Sequence, residues 1–116
     1  MSHRVERVQA TIAEEISLIV LNELKDPRIE RVTITGVKMS HDLRNATVYF
    51  SVLSDDKDDI EQARLGLENS SGYIRRQLGT KIRLRYIPEL AFRFDDSITR
   101  GARITELLEQ IKHEEQ

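Results

Sequence analysis

Five cations and no carboxylate lie within the segment RRQLGTKIRLR, which runs from residue 75 to residue 85. The cations are Arg75, Arg76, Lys81, Arg83 and Arg85. The whole chain carries a net charge of -2, so this cluster is not the by-product of a basic composition. A local concentration of cations on a mildly acidic chain indicates a site for a polyanion, most often a phosphate backbone. The alternative is a solvated basic helix face next to a basic strand face.

The remaining titratable residues do not form a catalytic constellation. None of the three histidines, His3, His41 and His113, is paired with another at metal-ligand spacing. Asp95 and Asp96 could hold a magnesium ion, but a strand end that passes into a helix cap explains them better. The chain contains no Walker-type loop, no nucleophile elbow and no His-Glu-x-x-His motif. We therefore expect a protein that is not an enzyme and that uses no metal or cofactor.

Length and composition limit the class of protein further. A chain of 116 residues with 33% charged and 39% apolar residues is expected to form one globular domain. The absence of cysteine removes disulfides, thiolate catalysis and cysteine-based zinc sites. The first residues lack the apolar run of a signal peptide, and the longest apolar run of the first helix is Leu18 to Leu21. We expect a soluble cytoplasmic monomer with no membrane partner and no small-molecule substrate.

Helical spacing of apolar residues marks the segments that must position the cations. A long amphipathic helix is predicted from Ser2 to Lys25, because Pro27 disfavours helical conformation in the residue before it. A second stripe runs from Ile60 to Leu78 and passes through Ser70-Ser71-Gly72. A glycine there costs about 1 kcal/mol relative to alanine, so we predict a kink between two helical halves.

The ends of this second helix carry their own signals. The acidic run from Asp55 to Glu61 is interpreted as a capped helix start rather than a metal site, since the first turn spreads its carboxylates around the axis. Gly79 is predicted at the C′ position that ends the second half.

Alternation of β-branched and polar residues predicts three strands. The apolar phase slips at Gly36 between Ile34 and Val37, which predicts a β-bulge, and a hairpin leads to a second strand from Ala46 to Val52. The third strand is predicted to place one set of residues on the core face, namely Ile82, Leu84, Tyr86, Leu90, Phe92 and Phe94. The opposite, solvent face would display Lys81, Arg83, Arg85 and Arg93. Pro88 makes this an edge strand or a bent one.

These elements predict an α+β fold with a three-stranded sheet and helices packed on one face. The order is α-β-β-α-α(kinked)-β, followed by a C-terminal helix. We expect an RNA-binding domain over residues 1–96 and a C-terminal helix or tail over residues 97–116.

Four sequence blocks closely resemble the bacterial ribosome-binding factor A family. They are LKDPRI (24–29), VTITGVKMSHDLRNATVYFSVL (32–53), SSGYIRRQLG (70–79) and IRLRYIPEL followed by F and FDDS (82–97). The resemblance keeps their order and spacing over nearly the whole chain, and it implies a type II K-homology fold. The sequence departs from the family pattern at Ser70, where the family usually has alanine. Ordinary K-homology domains clamp single-stranded RNA with a Gly-x-x-Gly loop, and this kink lacks it.

The resemblance also implies a function. Members of the family are non-enzymatic factors that bind free immature 30S subunits, assist late 30S maturation and 16S rRNA processing, and matter in the cold. Their contact is thought to include the 5′-terminal helix region of 16S rRNA. The alternatives are a general phosphate-backbone RNA-binding module and a module that docks on ribosomal proteins without a role in processing.

The candidate RNA-binding residues fall into three groups that would recognise RNA shape and backbone rather than bases. The main group is Ser70, Ser71, Gly72, Arg75, Arg76, Lys81, Arg83 and Arg85. Arg4 and Arg7 at the start of the first helix are added if they lie on the same side. A second, weaker patch around the hairpin comprises Lys38, His41 and Arg44.

Overall fold

The computed structural model describes residues 2–54 and 56–97. Its helices are α1 (Ser2–Asn22), α2 (Lys57–Asn69) and α3 (Ser71–Lys81), and its strands are β1 (Val32–Met39), β2 (Asn45–Val52) and β3 (Glu89–Phe94). A 3-10 turn (Pro27–Ile29) lies between α1 and β1. The predicted order α-β-β-α-α-β is confirmed. The C-terminal helix predicted beyond residue 97 lies outside the described residues.

The three strands form one mixed sheet in the order β1-β2-β3. β1 and β2 are an antiparallel hairpin, and β3 runs parallel to β2 from the pair Asn45–Glu89 onward. The register slips between Ile34 and Gly36, so Thr35 is an extra residue on β1. This confirms the bulge that the phase change predicts.

Helices cover one face of the sheet. Phe50 is fully buried at the centre, with its ring edge-to-face against Phe94 at a centroid distance of 6.0 Å. The core also takes the inner stripe of α1 and two apolar residues from each of α2 and α3, namely Ile12, Ile16, Ile19, Ala63, Leu67, Ile74 and Leu78. No helix within residues 2–54 and 56–97 is long and apolar enough to cross a membrane.

The helix ends follow from local hydrogen bonding. α1 ends at Asn22, three residues before the predicted end, and Asp26 instead caps the 3-10 turn by accepting from the Arg28 N–H at 2.9 Å. Asp56 caps α2 by accepting from the Asp58 N–H at 2.9 Å, which confirms the interpretation of the acidic run as a helix start. Ser70 separates α2 from α3 at the predicted kink.

The prediction for Gly79 was wrong. Helix α3 continues to Lys81, and Gly79 does not adopt the positive φ of a C′ glycine. A Cβ at Gly79 would lie 2.7 Å from Ile87 Cδ1, so the glycine leaves space for the tip of this side chain from the later loop.

The predicted start of the third strand was also wrong. Residues 82–88 form a loop, and β3 begins only at Glu89. The physical reason is the parallel register: Glu89 pairs with Asn45, and the residues before Asn45 belong to the hairpin turn. Within residues 2–54 and 56–97, no neighbouring backbone is therefore in position to form a ladder with residues 82–88. Arg83 and Arg85 lie on this loop, not on the solvent face of the sheet.

Candidate nucleic-acid interface

The loop 82–88 brings two of the predicted arginines beside the first helix. One cavity of about 380 Å³ is lined by Arg4 of α1 and Arg85 of the loop. A smaller cavity of about 160 Å³ is lined by Arg7 and Arg83, and both cavities share Val8 and Leu84. We call the two cavities together the α1–loop groove. All four of these arginines are exposed, so the groove offers their guanidinium groups to solvent.

The hairpin turn, residues 40–44, closes one end of the α1–loop groove. The Arg44 guanidinium lies over the Tyr86 ring, 4.4 Å from its centroid, and the Arg85 guanidinium is 5.4 Å from the same ring. The Glu89 N–H donates to the Arg44 carbonyl at 2.8 Å, which ties the turn to the start of β3. Arg44, which was predicted in the weaker patch, therefore lies beside Arg85 at this groove. Lys38 does not line the groove, because it is exposed on the outer face of β1 opposite Thr47.

The turn also carries the one carboxylate among the described residues that line either cavity. Asp42 Oδ1 accepts from Ser40 Oγ at 2.6 Å and from the Arg44 N–H at 3.1 Å. These hydrogen bonds lower the pKa of Asp42 below its usual value, so it is ionised at neutral pH. The groove is thus basic on balance, with a single fixed negative charge at its rim.

Arg75 uses its donors inside the protein. Its Nε donates to the Pro88 carbonyl at 2.9 Å, one terminal nitrogen donates to the Ile87 carbonyl at 3.1 Å, and the same nitrogen is 3.4 Å from Glu89 Oε1. We predicted that Arg75 faces a phosphate backbone, but in the structure its guanidinium group is bonded to the loop 82–88. Arg75 holds the loop 82–88 against α3 and in this way sets the position of Arg83 and Arg85.

Lys81 is also engaged within the fold. Its Nζ is 2.8 Å from Glu23 Oε2, and the Tyr73 hydroxyl donates to Glu23 Oε1 at 2.8 Å. The hydrogen bond from Lys81, together with that from Tyr73, lowers the pKa of Glu23, and the same ion pair raises the pKa of Lys81. This cluster fixes the end of α1 to α3 and offsets the charge of Lys81.

The helix junction at Ser70, Ser71 and Gly72 lies at the start of α3. The loop 82–88 leaves the other end of α3 and returns along it, so that the Pro88 carbonyl accepts from Arg75, three residues after Gly72. None of the three junction residues lines either cavity of the groove. The Ser70 side chain makes no capping hydrogen bond, and a Cβ at Gly72 would meet no atom within 4 Å. Arg76, exposed and four residues after Gly72, is the cation that shares this end of the helix.

Two groove residues escaped the sequence-based prediction. Tyr86 was assigned to the core face of the strand, but 42% of its surface is exposed and it lies under Arg44. Leu43 adopts a φ of 61°, which no pattern of hydrophobicity signals. The available clue was topological, since a strand parallel to β2 must begin beside the hairpin turn.

Clusters of three or more His, Cys, Asp or Glu side chains arranged to hold a metal ion are not found within residues 2–54 and 56–97.

The element order, the mixed sheet and the single helical layer define a type II K-homology-like α+β domain. A family model described as ribosome-binding factor A matches residues 4–108. The ribosome-binding factor A of Lacticaseibacillus casei strain BL23 is 45% identical over 112 residues, which is 97% of this chain and 96% of that protein. The chain therefore belongs to the ribosome-binding factor A family.

Solved structures agree on the fold. The crystal structure of ribosome-binding factor A from Thermus thermophilus superposes with a TM-score of 0.70 at 22% identity, covering 78% of this chain and 93% of that one. A homology model of the T. thermophilus factor, fitted into a cryo-EM map of a 30S–RbfA complex, gives a TM-score of 0.59 at 23% identity and covers 84% and 97% of the two chains.

Proposed function

We propose that this chain is a ribosome assembly factor that binds free immature 30S subunits through the backbone of 16S rRNA. It assists late 30S maturation and 16S rRNA processing in the cytoplasm as a monomer, without catalysing a reaction itself. Family membership supports this proposal, as does the complex of the T. thermophilus homologue with the 30S subunit. The 5′-terminal helix region of 16S rRNA is the contact that we propose.

The observation that carries the proposal is the gathering of separate basic segments around one groove. Arg4 and Arg7 come from α1, Arg44 from the hairpin turn, and Arg83 and Arg85 from the loop before β3. A chain with a net charge of -2 has placed these cations together while its carboxylates lie mainly elsewhere. Forked guanidinium groups suit phosphate oxygens, so an RNA backbone is the polyanion that this surface fits.

The other predicted residues take supporting places in this proposal. Arg76, with Ser70, Ser71 and Gly72, forms a second contact for the backbone at the helix junction. Arg75 and Lys81 position the loop and α3, while Lys38 offers one cation on the outer face of the sheet.

The proposal is tested by replacing Arg4, Arg7, Arg83 and Arg85 together with alanine. We expect the variant to bind 30S subunits more weakly, with the slope of log K against log salt concentration reduced by about three to four. Sedimentation of the full chain with purified 30S subunits over a salt series measures both quantities.

A matched control removes four exposed cations elsewhere, namely Lys25, Arg31, Lys57 and Arg93. Both variants lower the net charge equally, so only a difference between them reports on the groove. Equal binding by the two variants would contradict the assignment of the groove. Complementation of a strain that lacks the factor, scored by accumulation of 16S rRNA precursor, separates a processing role from mere docking on RNA or ribosomal proteins.

A further inference from the structure

The larger cavity of the α1–loop groove has an apolar floor, which phosphate binding does not require. Its volume of about 380 Å³ lies in the range of small-ligand sites. The apolar lining comes from α1, the end of β1, the hairpin turn and the loop, and comprises Val5, Val8, Ile12, Met39, Leu43 and Leu84. A pocket that combines apolar and charged lining residues suits a flat ring with polar edges better than a hydrated anion.

The rim of this cavity is divided between charges of opposite sign. Arg4 and Arg85 line it together with the ionised Asp42. A carboxylate disfavours a phosphate in the cavity itself, but it can accept a hydrogen bond from the N–H edge of a base. The cations at the rim are suited to the phosphates on either side of that base.

A stacking surface lies beside the cavity. The Arg44 and Arg85 guanidinium groups lie 4.4 and 5.4 Å from the centroid of the Tyr86 ring, and Tyr86 itself lines the cavity with 42% of its surface exposed. Unpaired RNA bases stack on aromatic rings and on arginine guanidinium planes. The groove thus joins the two surfaces that such a base requires.

Leu43 is held in a strained conformation at this site. Its φ of 61° is unfavourable for a leucine, and such residues persist only where the surroundings fix them. The Leu43 N–H donates to the Ser40 carbonyl at 3.0 Å, and the Asn45 N–H donates to Ser40 Oγ at 3.0 Å. This turn places the Leu43 side chain in the cavity wall.

We infer that the larger cavity binds the base of one unpaired RNA nucleotide, with its flanking phosphates on Arg4 and Arg85. The inference rests on the proposed function, which it deepens by adding a requirement for a splayed-out base at the basic surface.

The test compares two short RNA stems of the same sequence, one fully paired and one with a single bulged nucleotide. Fluorescence anisotropy with the full chain is expected to show about 5- to 100-fold tighter binding to the bulged stem. Val8→Phe fills the cavity without removing a cation, and it is expected to abolish this preference.

Tyr86→Ala provides a second variant, because an exposed side chain can be removed with little effect on the fold. It is also expected to abolish the preference. Tyr49→Ala, on the outer face of the sheet, removes the same ring elsewhere and is expected to keep the preference. If Val8→Phe does not fold, Tyr86→Ala decides the question.

Equal affinity of the native chain for the two stems would overturn the base-binding inference and leave the proposed function standing. A preference that survives in both Val8→Phe and Tyr86→Ala would overturn it as well. Failure to bind either RNA or the 30S subunit would overturn the proposed function and the inference together.

Discussion

Single residues of one basic run have different tasks in this protein. Arg75 and Lys81 are close in sequence to Arg83 and Arg85, but each has found an acceptor within the fold. The difference comes from neighbours that are distant in the chain, such as Glu23 directly after α1. The local density of cations therefore locates a basic region without revealing which of its members face a ligand.

Glu23 gives the fold a dependence on pH. Because the hydrogen bonds from Lys81 and Tyr73 lower its pKa in the folded state, its stabilising effect is fully present above the ordinary carboxyl pKa of about 4.3. The effect is lost as the pH falls through the lower pKa of the folded protein. Glu23→Gln is thus expected to be less stable than the native chain at about pH 7 and to lose less on acidification to about pH 3.

Urea unfolding across this pH range measures the effect. Glu14→Gln, an exposed change on α1, is the control and should follow the native curve. If the unfolding free energies of Glu23→Gln and the native chain changed equally with pH, the prediction would be contradicted. Asp26 and Glu61 also have lowered pKa values through arginine partners, so some acid sensitivity remains in every variant.

Replacing the glycine of α2 and the first glycine of α3 with alanine should change the free energy of unfolding in opposite directions. A Cβ at Gly66 would lie 2.9 Å from Cγ2 of the buried Ile29, and we expect overpacking of about 1–3 kcal/mol to outweigh the gain of about 1 kcal/mol in helix propensity. A Cβ at Gly72 enters open space, so Gly72→Ala is expected to stabilise by about 0.4–1 kcal/mol.

Chemical denaturation of both glycine variants in parallel measures whether each one lowers or raises the free energy of unfolding. The pair serves as its own control, because the substitution is the same. A gain in stability for Gly66→Ala would show that the turn at Ile29 is not packed as described.

At the scale of elements, the site is made by segments outside the regular helices and strands. The hairpin turn and the loop 82–88 meet at one end of the sheet, since β3 runs parallel to β2 and must enter beside the turn. The start of α1 then closes the groove from the side, where Gln9 Oε1 accepts from the Met39 N–H at 2.8 Å. The sheet register and α1 therefore fix the relative positions of these two irregular segments.

The attachment of the loop to α3 depends on Arg75. Arg75→Ala is expected to lower the free energy of unfolding by about 1–2 kcal/mol, because two carbonyl acceptors lose their charged donor. Hydrogen exchange of the Glu89 amide should accelerate, as the bond to the Arg44 carbonyl opens more often. Arg76→Ala, one residue along and exposed, is the matched control and should change stability by less than about 0.5 kcal/mol. Equal effects of the two variants would contradict the positioning role of Arg75.

At the scale of the whole molecule, one small core supports the sheet and all three helices. Phe50 is at its centre, fully buried on the middle strand. Phe50→Ala is expected to cost about 3–5 kcal/mol, a large part of the stability of a domain of this size. Leu53→Ala removes an apolar side chain that is 83% exposed and should have little effect. Thermal unfolding of the two variants tests the contrast, and a small loss for Phe50→Ala would place the centre of the core elsewhere.

The sequence patterns predicted those features of the fold that depend on residues close together in the chain. Periodicity, the phase slip at Gly36 and the junction at Ser70 gave the order of elements, the bulge and the division between α2 and α3. The limits of β3 escaped prediction because the alternation from Ile82 to Phe94 continues through a loop that has no ladder partner among the described residues. The groove escaped for the same reason, since Arg4, Arg44 and Arg85 meet only through the parallel register.

Gly79 and Ile87 have a consequence for the evolution of this surface. The helix leaves no room at residue 79 because the tip of Ile87 occupies it, at 2.7 Å from where a Cβ would lie. A larger residue at position 79 requires the partly exposed tip of Ile87 to turn away or residue 87 to become smaller. The two positions should therefore covary among related chains, and a mismatched pair would shift the loop that carries Arg83 and Arg85 without altering either arginine.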